Sequence, residues 1–244
     1  MNRIVMIFLL CLTVPLTAQA LPTIECHCFQ DRSYDMEKPG AADDYFLTAT
    51  QNTFFALTFN VTKKIIVGKK QRGASGADLW VAYWLADKSA TEVEKILTAR
   101  SQQSNWAATI TALGIKPTAL GTTFNSTLND ATAPLDHVVV DEVLERLQIL
   151  SADDLKTLRH NNASNKELLV CALLANKSDN QPLLFLQQVQ GHVATWDSLM
   201  THAGIDIKNI EQVLLTTFAD WPALNCGSLP ALLTINIRRH WFYW

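Results

Sequence analysis

An all-α fold, made as a tandem duplication of a short-helix unit in two pseudo-equivalent halves, is what this 244-residue sequence predicts, and three observations carry the prediction. Displacing the chain by 89 residues lays residues 74–89 on 163–178 with eight of sixteen positions identical: Ala74/Ala163, Ser75/Ser164, Leu79/Leu168, Val81/Val170, Leu85/Leu174, Ala86/Ala175, Lys88/Lys177 and Ser89/Ser178. Both segments carry apolar residues at helical spacing, bounded by residue types that start and stop helices. Alternation of period two never persists beyond a few residues, so the core reads as all-α.

Taken in order, residues 1–20 read as a secretory signal, with Arg3 as the positive start, an apolar run from Ile4 to Leu16, and Ala18-Gln19-Ala20 as the cleavage site. Removing it leaves 224 residues and four of the five cysteines, and moves the formal charge from −3 to −4. Bulky residues precede Cys11, which argues against a lipid anchor, so periplasm or secretion is expected. Residues 21–44, with Pro22, Pro39 and Gly40, read as an extended segment. Residues 45–130 and 131–220 form the two helical repeats, and 221–244 a tail with Pro222, Pro230 and a β-leaning run from Leu232 to Ile237. Pairing of the two extended ends would cover the joint between the halves.

Within each repeat, Thr62 and Ser151 stand where an N-cap belongs, and Gly73 and Asn162 stop the helices that follow. Ser75 and Ser164 open the next pair, with apolar stripes Leu79-Ala82-Tyr83-Ala86 and Leu168-Cys171-Ala172-Ala175. Thr91-Glu92-Val93-Glu94 has the form of a capping box before Ile96, Leu97 and Arg100. With one residue inserted, Trp106 falls on Trp196 and Gly114 on Gly204, the tryptophans as core residues and the glycines as helix stops. A further insertion pairs Thr122-Thr123-Phe124 with Thr216-Thr217-Phe218. The sequons at Asn60, Asn125, Asn162 and Asn176 are read mainly as helix punctuation rather than glycosylation sites.

The run Ile96-Leu97, Arg100, Trp106 and Leu113-Gly114-Ile115 resembles a pattern in uncharacterised exported bacterial proteins, with an echo from Trp196 to Ile205. It departs from that pattern at Ser104-Asn105, where a Gly would precede the Trp. The resemblance covers about thirty residues and implies a helical, exported protein; the family brings no established activity.

Composition narrows function more by exclusion. A hydrophobic fraction of 48% with mixed charges rules out disorder, and the near-neutral balance gives no argument for nucleic acid. After the signal no apolar run reaches the roughly 18 residues a membrane span needs. Cys26-His27-Cys28 is the one cluster of soft ligands. In an oxidising compartment a disulfide from Cys26 or Cys28 to Cys226 is the first reading, with Cys171 taken as a buried apolar residue. A soft-metal or thiol-redox site at Cys26, His27 and Cys28 is the alternative. Lys63, Lys64, Lys69, Lys70 and Arg72 put five cations on one short segment, either a solvated face or a surface for an acidic partner or anionic envelope. The aromatic tail from Arg238 to Trp244 suits docking on the fold or a membrane interface. No nucleophile elbow, phosphate loop or His-Glu-x-x-His helix is present, and no cofactor is implied. The expectation is therefore an exported, non-enzymatic helical-repeat protein that binds a peptide or envelope partner.

Overall fold

The computed structural model describes residues 36–128, 130 and 134–218. Among them lie twelve α-helices and no strand: α1 (Asp43–Thr58), α2 (Lys63–Gln71), α3 (Gly76–Ser89), α4 (Val93–Gln102), α5 (Trp106–Ala112), α6 (Thr122–Leu128), α7 (Leu135–Arg146), α8 (Ala152–His160), α9 (Asn165–Ser178), α10 (Pro182–Gln190), α11 (Trp196–His202) and α12 (Ile210–Phe218). The protein is all-α.

The helix bounds recur along the chain. α8 and α9 begin and end 89 residues after α2 and α3, and α11 follows α5 by 90. Local chemistry explains why. Ser75 Oγ accepts the Asp78 N–H at 2.9 Å and Ser164 Oγ the Glu167 N–H at 3.3 Å, satisfying donors that a helix start leaves unpaired. α2 and α8 run out at Gly73 (φ +97°) and Asn162 (φ +60°), and α5 and α11 at Gly114 (φ +66°) and Gly204 (φ +72°). Beyond those glycines, Ile115 N–H returns to Ile110 C=O and Ile205 N–H to Met200 C=O, the six-to-one bond of a left-handed helix stop. Trp106 and Trp196 both open their helices and are both buried.

Four details differ from expectation. α4 begins at Val93, so Glu92 occupies the cap position, Glu94 comes one residue too early to reach back, and no side-chain cap forms. Thr62 likewise makes no side-chain cap bond, whereas Ser151 accepts the Asp154 N–H at 3.1 Å. Thr122-Thr123-Phe124 opens α6 whereas Thr216-Thr217-Phe218 closes α12, so those triplets are not equivalent. The predicted stripes on α3 and α9 are too narrow: Leu79 through Ala86 and Leu168 through Leu174 are buried without interruption. A helix apolar all round belongs at the centre of a fold, not on its surface.

Packing exchanges the opening helices. α1 lies on α9, α11 and α12, besides its own neighbour α2, while α7 lies on α3 and α6. Each half's first helix therefore completes the other half. Phe55 and Phe59 also press on Trp80 and Tyr83 with ring centroids 4.7 to 5.6 Å apart, tying α1 back to α3. α7 is held to α3 partly by charge: Lys88 meets Glu142 at 2.8 Å, Arg146 meets Asp87 at 3.6 Å, and the Trp84 indole N–H donates to Glu142 at 3.3 Å. One hydrophobic core runs through both halves.

Candidate functional site

Cys26, His27, Cys28 and Cys226, together with the signal and the aromatic tail, lie outside the described residues. Among the described residues no three metal-capable side chains come together, and no helix is long and apolar enough to cross a membrane. Cys171 is wholly buried, and burial pushes its thiol far up, which suits an inert apolar residue. His192 sits in the α10–α11 loop with φ +56°.

The five cations of α2 and its C-cap divide. Lys63 pairs with Glu211 of α12 at 2.7 Å, and the buried Lys69 pairs with Glu94 of α4. Lys70 donates to Asn52 Oδ1 at 3.0 Å. Lys64 and Arg72 are exposed, with the exposed Ile65 on the same helix. Three of the five thus hold helices together and two face outward.

Lys70 also lines a cleft between three helices. Gln51, Asn52 and Phe55 of α1, Ile66 and Lys70 of α2, and Gly76, Leu79 and Trp80 of α3 line this cleft, which is too thin to seat a water molecule. The indole N–H of Trp80 is buried and has no partner, an exception to the rule that buried donors are paired.

Eighty-nine residues on, the same eight positions are Val140, Asp141, Leu144, Leu155, Arg159, Asn165, Leu168 and Leu169. Polar side chains fill the space there. Arg159 takes both oxygens of Asp141, with Nη2 to Oδ1 at 2.7 Å and Nε to Oδ2 at 3.3 Å. It also donates to Asn165 Oδ1 at 2.5 Å and Ala163 C=O at 2.8 Å, while Asn165 donates to Asp136 at 2.7 Å. His137 borders this network; burial and the Arg159 charge hold its imidazole below its usual range, against the pull of Asp136 and Asp141.

Seven of the eight positions differ, and beside the exchange of Arg159 for Lys70 two of them bear most on the space. Asn165 becomes Gly76, removing the side chain that would occupy the space, and Asp141 becomes Asn52, removing the carboxylate. Sequence reasoning matched the two stretches on their identities and passed over Gly76/Asn165, a mismatch inside the most similar segment. The cleft was marked there.

No family model matches this chain, and no curated protein and no solved structure is similar to it.

Proposed function

We propose that this is an exported, non-enzymatic binding protein composed of two copies of one helical unit, and that the cleft between α1, α2 and α3 receives an acceptor group from a peptide or envelope partner. The observation carrying this reading is the buried, unpartnered Trp80 indole N–H beside a cleft whose counterpart is filled. Leaving a buried donor unpaired costs on the order of 1–3 kcal/mol, which an incoming carbonyl or carboxylate oxygen recovers. Exposed Lys64 of α2 and Arg72 at its C-terminal end favour an acidic partner. The cleft is closed to water, so an occupant enters by displacing a wall, and the long flexible stem of Lys70 is the wall most able to move. The recurring helix bounds support the common origin of the halves, and the resemblance of the Trp…Leu-Gly-Ile segment supports export. A disulfide joining Cys226 to Cys26 or Cys28 belongs to the same proposal, since an oxidising compartment makes it available.

The test fills the first cleft as the second half is filled. Gly76 has no left-handed backbone, so Gly76→Asn is conformationally permitted. Immobilised mature protein and the G76N variant would be compared for retention of envelope proteins and, directly, for binding of a Glu-rich peptide followed by tryptophan fluorescence. At equal thermal stability, loss of at least tenfold in peptide affinity and loss of the same envelope protein in G76N support the proposal. Unchanged retention of both would remove the cleft as the site.

A further inference from the structure

The starts of α1 and α11 cap each other across the molecule. The Asp197 N–H donates to Asp43 Oδ1 at 2.7 Å, and the Ala42 N–H donates to Asp197 Oδ2 at 3.4 Å. The Thr195 hydroxyl holds the other Asp197 oxygen at 2.5 Å. Each carboxylate thus satisfies an N–H that the other helix start leaves unpaired. Asp197 is wholly buried and Asp43 half-buried, so two acids meet where water reaches poorly.

We infer that the Asp43–Asp197 contact is a proton-operated clasp that sets how firmly α1 closes the second half of the molecule. α1 is the element for such a device because it belongs to the first half in sequence and packs on α9, α11 and α12 in space. Opening its first turns would uncover Ala42, Phe46 and Ala49, all buried at present.

The surrounding charges give the clasp its sign. Burial pushes the Asp43 carboxyl up to about 6 from 3.8; the Asp197 and Trp196 N–H groups oppose this, and the Asp197 and Asp44 charges add to it. Among the described residues no ion pair reaches either acid: Lys63 and Lys69 of α2 pair with Glu211 of α12 and Glu94 of α4, Lys70 donates to Asn52, and Lys166 of α9 donates to Thr48 at 3.3 Å. The folded state therefore takes up a proton more readily than the unfolded chain, whose Asp titrates near 3.9. Stability from this group rises as pH falls from about 6 to about 4 and is lost as pH climbs through 6. The clasp tightens in acid.

Hydrogen exchange of the mature full-length chain at pH 5, 6 and 7.5, corrected for intrinsic exchange rates, reads the clasp directly. A two-unit shift bounds the effect at about a hundredfold; half exposure reduces it, so the first two turns of α1 should open about tenfold more often at pH 7.5 than at pH 5. Amides of α7, the helix in the corresponding place, report global effects. Asp43→Asn should keep α1 at its acid-like protection at every pH, and Asp44→Asn should leave most of the wild-type dependence. Identical pH dependence in α1 and α7 of the wild type would overturn the inference. If D43N does not fold, a ¹³C titration of the wild-type Asp43 carboxyl decides: a midpoint near 6 sustains the clasp and one below about 4.5 ends it.

Discussion

The space between α1, α2 and α3 and the space between α7, α8 and α9 rest on pairs of helices, α2–α3 and α8–α9, with matching ends, yet one is a narrow cleft too thin for water and the other a polar network. In the second, Arg159 is gripped by Asp141, Asn165 and a backbone carbonyl. In the first, Lys70 reaches Asn52, Gly76 contributes no side chain, and Trp80 keeps an unpaired N–H. The aromatic content differs in the same direction: Phe55, Trp80 and Tyr83 stand where the second half has Leu144, Leu169 and Ala172. Helix bounds thus recur where caps and apolar spacing recur, while a few side chains decide how the space between the helices is filled.

The largest test of the likeness is at the tryptophans. Trp106 and Trp196 are 8% and 3% exposed, and each begins a helix after a side-chain cap, Asn105 or Thr195. Truncation of either to Ala should cost about 3–5 kcal/mol in denaturant unfolding. Arg100 lies 5.4 Å from the Trp106 ring centroid, so W106A also frees a cation from that face. A cost below 1 kcal/mol at one site alone would break the equivalence there.

The polar networks should separate the halves more sharply. Asp141→Ala leaves the Arg159 guanidinium, only 16% exposed, without its carboxylate. Removing one partner of a partly buried pair costs about 2 kcal/mol, below the fully buried limit because Asp141 keeps access to water. Asn52→Ala removes a neutral acceptor and should cost about 1 kcal/mol or less. Equal losses, measured by urea denaturation, would mean that the second network contributes no more than the first.

What the sequence disclosed follows from the range of the forces involved. Helix ends depend on residues within one turn, so Ser75, Ser164, Gly114 and Gly204 were readable one at a time. The box at Thr91 failed because a shift of one residue in the helix start moves Glu94 out of reach, and spacing alone does not fix that start. The exchange of α1 and α7 was not readable, because it depends on contacts between helices far apart along the chain. α1 gave little local hint of its central position: Thr48, Thr50, Gln51, Asn52 and Thr53 are polar yet buried, against the usual rule. The cleft was half readable. Its absent side chain shows in the pairing of Gly76 with Asn165, but its enclosure needs three helices that only folding brings together.

The smallest expected effect tests whether the matching ends rest on backbone conformation alone. Gly114 and Gly204 both occupy the left-handed region, at φ +66° and +72°, and a Cβ built on either meets nothing within 4 Å. Gly→Ala at each site therefore adds no clash, and only the conformation resists it. The left-handed conformation costs a non-glycine residue roughly 1–2 kcal/mol. Loss of glycine's freedom in the unfolded chain returns about 0.4–1 kcal/mol. The net should be a destabilisation of about 1 kcal/mol, the same in G114A and G204A, and additive in the double variant because the two stops lie in different halves. Thermal unfolding of the three variants checks this. A difference above about 1 kcal/mol between the single variants would show that the surroundings, and not the backbone, make the two stops alike.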